Sequence, residues 1–101
     1  MEVGDVTVEH FAGREGQRFW IAFADANLDL ELVMVTRAPE HWGRTGKRDP
    51  FSITFHATLE HVLPAQIWPL EHEELGTLKL FLSPLGPNDA GDAMRYEAIF
   101  N

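Results

Sequence analysis

The stretch "FSITFHA", residues 51–57, is the clearest indication of the fold, because apolar and polar side chains alternate along it without a break. Successive side chains of a β-strand point to opposite faces of the sheet, so this alternation predicts a strand with one face on a hydrophobic core. The side chains expected to face that core are Phe51, Ile53, Phe55 and Ala57. Those expected on the outer face are Ser52, Thr54 and His56.

Four further segments have the same period of two. They are "RFWIAFA" (18–24), "LDLELVMVTR" (28–37), "TLKLFLS" (77–83) and "MRYEAIF" (94–100), and "QIWPLEH" (66–72) is a sixth, weaker strand candidate. The residues expected to face the core are Phe19, Ile21, Phe23, Leu28, Leu30, Leu32, Met34, Leu78, Leu80, Leu82, Met94, Tyr96, Ala98 and Phe100. Val33 and Val35 place apolar side chains on the face opposite Leu32 and Met34, which indicates a strand covered on both sides. Pro69 lacks the N–H that a ladder requires, so its segment is expected at an edge or with a bulge.

Turn residues separate these segments, and two connections are expected to be hairpins, from Leu70 to Leu78 and from Leu82 to Met94. The segment "TVEHFAG", residues 7–13, predicts one or two helical turns that begin after Thr7 and end before Gly13. The whole pattern predicts an all-β fold, a small antiparallel barrel or barrel-like sandwich of about six strands with a short N-terminal helix. At this length we expect a single all-β domain over residues 1–101.

Several segments resemble a family of short bacterial all-β proteins that is catalogued only as a domain of unknown function. The resemblance lies in "FAGREGQRFWI", "RDPFSITFHA", "LPAQIWPLEHEELGTLKLFLSPLGP" and the C-terminal "MRYEAIFN", which matches the pattern Arg-Tyr-Glu-Ala-(Val or Ile)-Phe-Asn. It implies a small all-β fold and an association with phage-tail collar-like proteins, hence a structural or assembly role. It carries over no catalytic residues. The chain departs from the family pattern at Ala65 and at Trp68 and Pro69, which puts the local geometry there in question.

The charge balance disfavours some partners. The chain has 16 acidic and 8 basic residues and a net charge of −8. Binding to nucleic acid or to anionic membranes requires several cations on one face, so neither is expected. No apolar segment approaches the roughly 18 residues of a membrane helix, and the start lacks a signal-peptide pattern. We therefore expect a soluble, cytoplasmic protein.

Catalytic motifs are not evident. There is no cysteine, and neither Ser52 nor Ser83 stands in a nucleophile motif. Metal ligation by His56, His61 and the "EHEE" stretch at 71–74 is weighed against exposed, non-ligating histidines, which the irregular spacing favours. We therefore expect no enzyme, no metal and no cofactor, with a metal-dependent enzyme as the third hypothesis.

A basic loop interrupts the acidic chain. The segment from Ala38 to Asp49 is longer than the ~4–6 residues of a usual connection, and such loops tend to be functional or disordered. The candidate interaction residues in and beside it are Arg37, Trp42, Arg44, Lys47 and Arg48. The loop is interpreted as a solvated segment, a protein contact or, least favoured, an anion site.

Three aromatic residues, Trp20, Trp68 and Phe81, lie on the faces opposite the expected core rows. They are expected either at an interface or under the N-terminal helix or the long loop. Together with the missing catalytic motifs, these features predict a non-catalytic protein-interaction or assembly module, accessory to a phage-tail-like structure, with a protein partner or self-association. The alternative is a small barrel that binds an apolar ligand between its inward Phe and Leu rows.

Overall fold

The computed structural model describes residues 2–38 and 49–101. They form two 3-10 turns, Val3–Asp5 and Val8–His10, and six β-strands. The strands are β1 (Arg18–Ala22), β2 (Asn27–Arg37), β3 (Phe51–Ala57), β4 (Gln66–His72), β5 (Gly76–Pro87) and β6 (Met94–Phe100). No helix within the described ranges is long and apolar enough to cross a membrane.

The six strands close into an antiparallel barrel in the order β1-β2-β3-β6-β5-β4. The predicted all-β class is confirmed, and the architecture is a closed barrel rather than a sandwich. Both expected hairpins are present, because β4 pairs with β5 and β5 pairs with β6. Closure joins the first strand to the fourth, so residues far apart in sequence become neighbours on the barrel wall.

Strand β4 lies at the seam where the barrel closes. It pairs with β5 along its whole length, from Gln66 opposite Leu82 to His72 opposite Gly76. Its register with β1 consists of Trp20 opposite Glu71. The expectation that the strand of Pro69 lies at an edge or carries a bulge is therefore not met, because β4 has neighbours on both sides of the closed barrel and its register with β5 has no shift.

The barrel interior is the hydrophobic core. In β3 and β6 every second side chain is buried, as the alternation predicts. The buried apolar residues of all six strands belong to one core cluster. Tyr96 is fully buried, and its hydroxyl oxygen accepts the backbone N–H of Leu63 at 2.8 Å, which satisfies a buried donor in the β3–β4 connection.

The prediction that Met34 faces the core is wrong, because β2 carries an irregularity. Leu32 is opposite Phe55 but Met34 is opposite Thr54, so one extra residue, Val33, is accommodated between two consecutive positions of β3. An extra residue shifts the alternation by one, so Met34 turns outward and is 54% exposed. Val35 then packs against the core. The apolar residues Val33 and Val35 are therefore explained by a change in which face of β2 points inward, and not by a strand that is covered on both sides.

The prediction that Phe23 faces the core is also wrong. Its position has the inward parity of Phe19 and Ile21, but β1 ends at Ala22. Phe23 therefore lies past the strand end and is 44% exposed. Its ring contacts that of Trp68 in a T-shaped arrangement with centroids 6.0 Å apart.

The N-terminal segment, residues 2–17, covers one end of the barrel. The helix expected between Thr7 and Gly13 is a single 3-10 turn, Val8–His10, and Thr7 before it donates its backbone N–H to Nδ1 of His10 at 2.9 Å. Gly13 ends this region with a positive φ of 83°, a conformation that favours glycine. Phe11 is fully buried between these features. Its ring lies about 6 Å from the rings of Phe19, Phe51 and Phe100.

Candidate interaction surface

Three large apolar side chains point outward from neighbouring strands β4, β5 and β6. Ile67 is 62% exposed, Phe81 is 54% exposed and Ile99 is 64% exposed. We refer to these three residues as the apolar row. Apolar side chains scattered singly on a surface are normal, whereas adjacent ones mark interaction sites.

The strand register brings the members of the apolar row side by side. Ile67 and Phe81 are direct cross-strand partners of the β4–β5 ladder. On the β5–β6 ladder Ser83 is opposite Glu97. Phe81 comes two residues before Ser83, and Ile99 comes two residues after Glu97. Because the strands are antiparallel, Phe81 and Ile99 lie on the same side of that pair. The antiparallel barrel therefore assembles the row from three separate parts of the chain.

Other exposed apolar residues have a different setting. Met34, at 54% exposure, faces Thr54 across the β2–β3 ladder, so its cross-strand neighbour is polar. Among residues 2–38 and 49–101, the remaining large apolar residues with substantial exposure are Val3, Phe23, Leu59, Val62 and Leu85. Two large apolar partners that are both more than half exposed distinguish the apolar row.

The surface around the row belongs to an anionic body. Residues 2–38 and 49–101 contain 15 Asp or Glu and 5 Lys or Arg, a net charge of −10, and segment 39–48 contributes +2. Three of the described arginines form ion pairs with carboxylates: Arg14 with Glu74, Arg18 with Asp29 and Arg37 with Glu9. Each pair cancels one basic and one acidic group, so the net charge stays at −10 and the overall potential of the described residues is negative.

The predicted interaction loop lies mostly outside the described residues. Arg37 is its one described member, at the end of β2, with its guanidinium 3.8 Å from the carboxylate of Glu9. Trp42, Arg44, Lys47 and Arg48 fall in segment 39–48 and lie outside the described ranges. The prediction for those four residues stays a prediction.

The three aromatic residues expected on the outer faces have three different environments. Trp20 is half-buried, with the guanidinium carbon of Arg18 4.5 Å from its ring centroid. Trp68 is half-buried against the core and donates its indole N–H to the carbonyl of Pro64 at 3.1 Å. Phe81 alone among the three remains more than half exposed. Of these three aromatic residues, Phe81 therefore remains the candidate for an interface.

The histidines considered as metal ligands are separated. His56 stands on the outer face of β3 between Glu31 of β2 and Arg95 of β6, while His61 is exposed in the following connection. Within residues 2–38 and 49–101, no three or more His, Asp or Glu side chains are grouped so as to hold a metal ion.

His72 was grouped with exposed histidines in the sequence interpretation, and this is wrong. The side chain is buried, and its ring centroid lies 4.5 Å from that of Phe19. The signal was available in the alternation of β4, since His72 has the same parity as the inward Leu70. The acidic neighbours Glu71, Glu73 and Glu74 made this stretch typical of a solvated turn, so the inward position of His72 was missed.

Burial and hydrogen bonding define the state of His72. Its Nδ1 accepts the backbone N–H groups of Glu74 at 3.0 Å and Leu75 at 3.1 Å. Its Nε2 lies 2.8 Å from Oε1 of Gln17. Burial lowers the pKa of His72 below its ordinary value, and the positive charge of Arg14 lowers it further. The carboxylates of Glu74 and Glu73 act in the opposite direction.

Comparison with known proteins places the chain in a family. No curated protein and no solved structure shows a significant match to it. A family model described as "Domain of unknown function (DUF6916)" matches residues 6–100, from the buried Val6 to the last residue of β6. The chain therefore belongs to the DUF6916 family.

Proposed function

We propose that this chain is a non-catalytic protein-interaction or assembly module that docks through the apolar row. The observation that carries the proposal is the cross-strand pairing of Ile67 with Phe81, both more than half exposed. Ile99 extends the same face onto β6. A rigid antiparallel wall presents these side chains without the entropy loss of ordering a loop.

The magnitude of burial supports docking at this position. Complete burial of an Ile or Phe side chain contributes roughly 1.5–3 kcal/mol, and about half of each side chain in the row is still available. Three such residues together supply a few kcal/mol of gross stabilisation. Binding must also offset the loss of translational and rotational freedom, so the row serves as the centre of a larger contact surface.

The charge of the body favours one class of partner. The described residues carry a net charge of −10, so two copies of the chain repel each other overall. A protein with an apolar patch bordered by Lys and Arg complements both the row and this net charge. We therefore propose a basic-rimmed protein partner, and self-association becomes an outcome that the experiment tests.

The finer role that we propose is an accessory of a phage-tail-like structure. Its support is the resemblance carried by the C-terminal "MRYEAIFN" and the segments quoted with it. A component of such an assembly needs an exposed, rigid contact face and no catalytic centre, which agrees with the proposed docking mode.

The alternative, a barrel that binds a small apolar ligand, receives less support. At the end covered by the N-terminal segment, the ring of Phe11 packs with those of Phe19, Phe51 and Phe100. These side chains fill space that a ligand would need, because protein interiors are close-packed.

The test compares wild type with the triple variant Ile67→Thr, Phe81→Thr and Ile99→Thr. Threonine keeps β propensity while removing apolar surface, so the barrel is expected to stay folded. Met34→Thr is the matched control, because Met34 is as exposed as Phe81 but lies on β2. Each immobilised chain is exposed to lysate of the source organism, and captured proteins are purified and titrated against the same chains.

The expected result is a purified protein that binds wild type and Met34→Thr equally, and the triple variant at least about tenfold more weakly, a loss of about 1.4 kcal/mol. Because basic residues are proposed at the partner's rim, its affinity should fall as salt is raised. Sedimentation of the chain alone tests self-association. A partner that binds the triple variant as tightly as wild type would overturn the proposed surface.

A further inference from the structure

We propose that His72 is an acid-sensitive latch: adding a proton to its imidazole releases the β4–β5 turn and loosens the N-terminal segment that covers this end of the barrel. This inference is independent of the apolar row, which lies on the outer wall. It concerns a group buried at the barrel end, with hydrogen-bond partners in both the turn and the N-terminal segment.

The hydrogen bonds determine which ring nitrogen carries the proton. Two backbone N–H groups, those of Glu74 and Leu75, point at Nδ1, so this nitrogen must be an unprotonated acceptor. The remaining proton is on Nε2, which donates to Oε1 of Gln17. Arg14 confirms the orientation of the Gln17 amide, because its Nη1, a group that only donates, lies 3.3 Å from the same oxygen.

Adding a second proton is incompatible with this arrangement. The new N–H at Nδ1 would face two N–H donors, so both bonds to the turn would be lost. The resulting imidazolium would be buried against the ring of Phe19, where charge is poorly solvated. The ring therefore has to leave its site, or the turn has to move away from it.

The charged groups around His72 do not remove this conflict. Arg14 of the N-terminal segment is a cation and opposes a second positive charge. Glu73 and Glu74 of the turn favour the imidazolium, but Glu74 already forms an ion pair with Arg14 at 3.0 Å. Glu71, the outward neighbour on β4, accepts the hydroxyl of Thr77. Protonation therefore attracts the turn carboxylates towards the ring while expelling the turn backbone.

Movement of the turn is transmitted to the N-terminal segment through two connections. Gln17 is bound to His72 itself, and Arg14 is bound to Glu74 in the turn. Protonation displaces both partners, the His72 ring that binds Gln17 and the turn residue Glu74 that binds Arg14. The segment between Thr7 and Gly13 holds Phe11 over the rings of Phe19, Phe51 and Phe100, so loosening it gives access to an aromatic surface in acid.

The test is nuclear magnetic resonance of the full chain labelled with ¹⁵N, from pH 8 to pH 4.5. Ring nitrogen shifts report the tautomer of His72 and the pH range in which it takes up its second proton. Amide exchange, corrected for intrinsic rates, is followed at Glu74 and Leu75 in the turn. It is also followed at Phe11 and Ala12, whose amides donate to the carbonyl of Val8.

The expected result is an Nε2–H tautomer of His72 at neutral pH. As His72 takes up its second proton, exchange protection of those four amides should fall at least about tenfold while that of Phe55 in β3 is retained. His72→Asn is the control variant, because its side-chain oxygen replaces Nδ1 as acceptor without titrating; it should lack the loss of protection that accompanies protonation of His72 in the wild type. If this variant does not fold, the wild type alone tests the proposal: the four amides should lose protection over the same pH range in which the His72 ring takes up its second proton.

Three results would overturn the latch. One is an Nδ1–H tautomer at neutral pH, and another is protonation of His72 without loss of protection at the four amides. The third is an equal acid-dependent loss in folded His72→Asn, which would place the sensitive group elsewhere.

Discussion

The rings of Phe51 and Phe100 are stacked, with centroids 4.4 Å apart and planes inclined by 7°. These residues are cross-strand partners that join the first residue of β3 to the last residue of β6. The C-terminal end of β6 is therefore fixed in the core rather than frayed.

Replacing Phe100 should strongly destabilise the barrel. Phe100→Ala removes a ring that is 3% exposed, and loss of a buried Phe typically costs about 3–5 kcal/mol. Ile99→Thr, one residue earlier but outward-facing, should change the free energy of unfolding by no more than about 0.5 kcal/mol. Urea denaturation of both variants measures the difference, and similar losses would contradict the assignment of faces in β6.

A second prediction concerns the hydroxyl of Tyr96. Tyr96→Phe leaves the ring in place but removes the acceptor for the buried N–H of Leu63. An unsatisfied buried donor costs about 1–3 kcal/mol, so unfolding should become easier by that amount. The Leu63 amide should also lose exchange protection. A variant as stable as wild type would show that water or another group replaces the hydroxyl.

Much of the barrel wall can be predicted from alternation alone. The bounds of β3 and β6 coincide with the sequence segments, because their strict alternation is interrupted only where turn residues begin. The bounds of β4 also coincide with its segment, although its alternation is irregular. The hairpins follow from short connections. Closure between β1 and β4 cannot be predicted, because it depends on the summed tilt and stagger of all six strands rather than on a local pattern.

The errors have local physical causes. The extra residue in β2 changes the face of Met34 without any Gly or Pro signal, and Phe23 keeps the inward parity beyond the point where β1 ends. The apolar row cannot be found in one segment, since Ile67, Phe81 and Ile99 meet only through strand pairing. The expected helix after Thr7 is only a 3-10 turn, because so short a segment gains too little from helix propagation to offset the cost of nucleation.

The irregularity in β2 gives a third prediction. Met34→Gln should change the free energy of unfolding by no more than about 0.5 kcal/mol, because the side chain faces solvent. Leu32→Gln, two residues earlier on the inward face, should destabilise by several kcal/mol, since it buries an amide among apolar side chains. Thermal denaturation ranks the two variants. A large loss in Met34→Gln would place Met34 in the core instead.

A fourth prediction is a pH dependence of stability that originates in His72. The pKa of His72 is lowered in the folded state from an ordinary value of 6.5, so the unfolded chain binds the proton more readily. The stabilising contribution is complete above about pH 6.5 and is lost as the pH falls from there through the lower folded pKa. Urea denaturation at closely spaced pH values measures this slope.

His72→Asn supplies the comparison for that slope. Carboxylates contribute to acid destabilisation in both chains, so the difference between wild type and variant isolates the histidine. We expect the difference in the free energy of unfolding to change across this pH window. A constant difference would show that His72 has the same pKa in the folded and unfolded chains.

The central claim, that the apolar row is a docking surface, is tested most directly by site-specific photocrosslinking in cells of the source organism. A benzoylphenylalanine replaces Phe81 in one chain and Met34 in a control chain, two positions of equal exposure on different strands. The account predicts a discrete adduct with another protein from position 81 and none from position 34. Equal labelling from both positions, or no adduct from position 81, would contradict it.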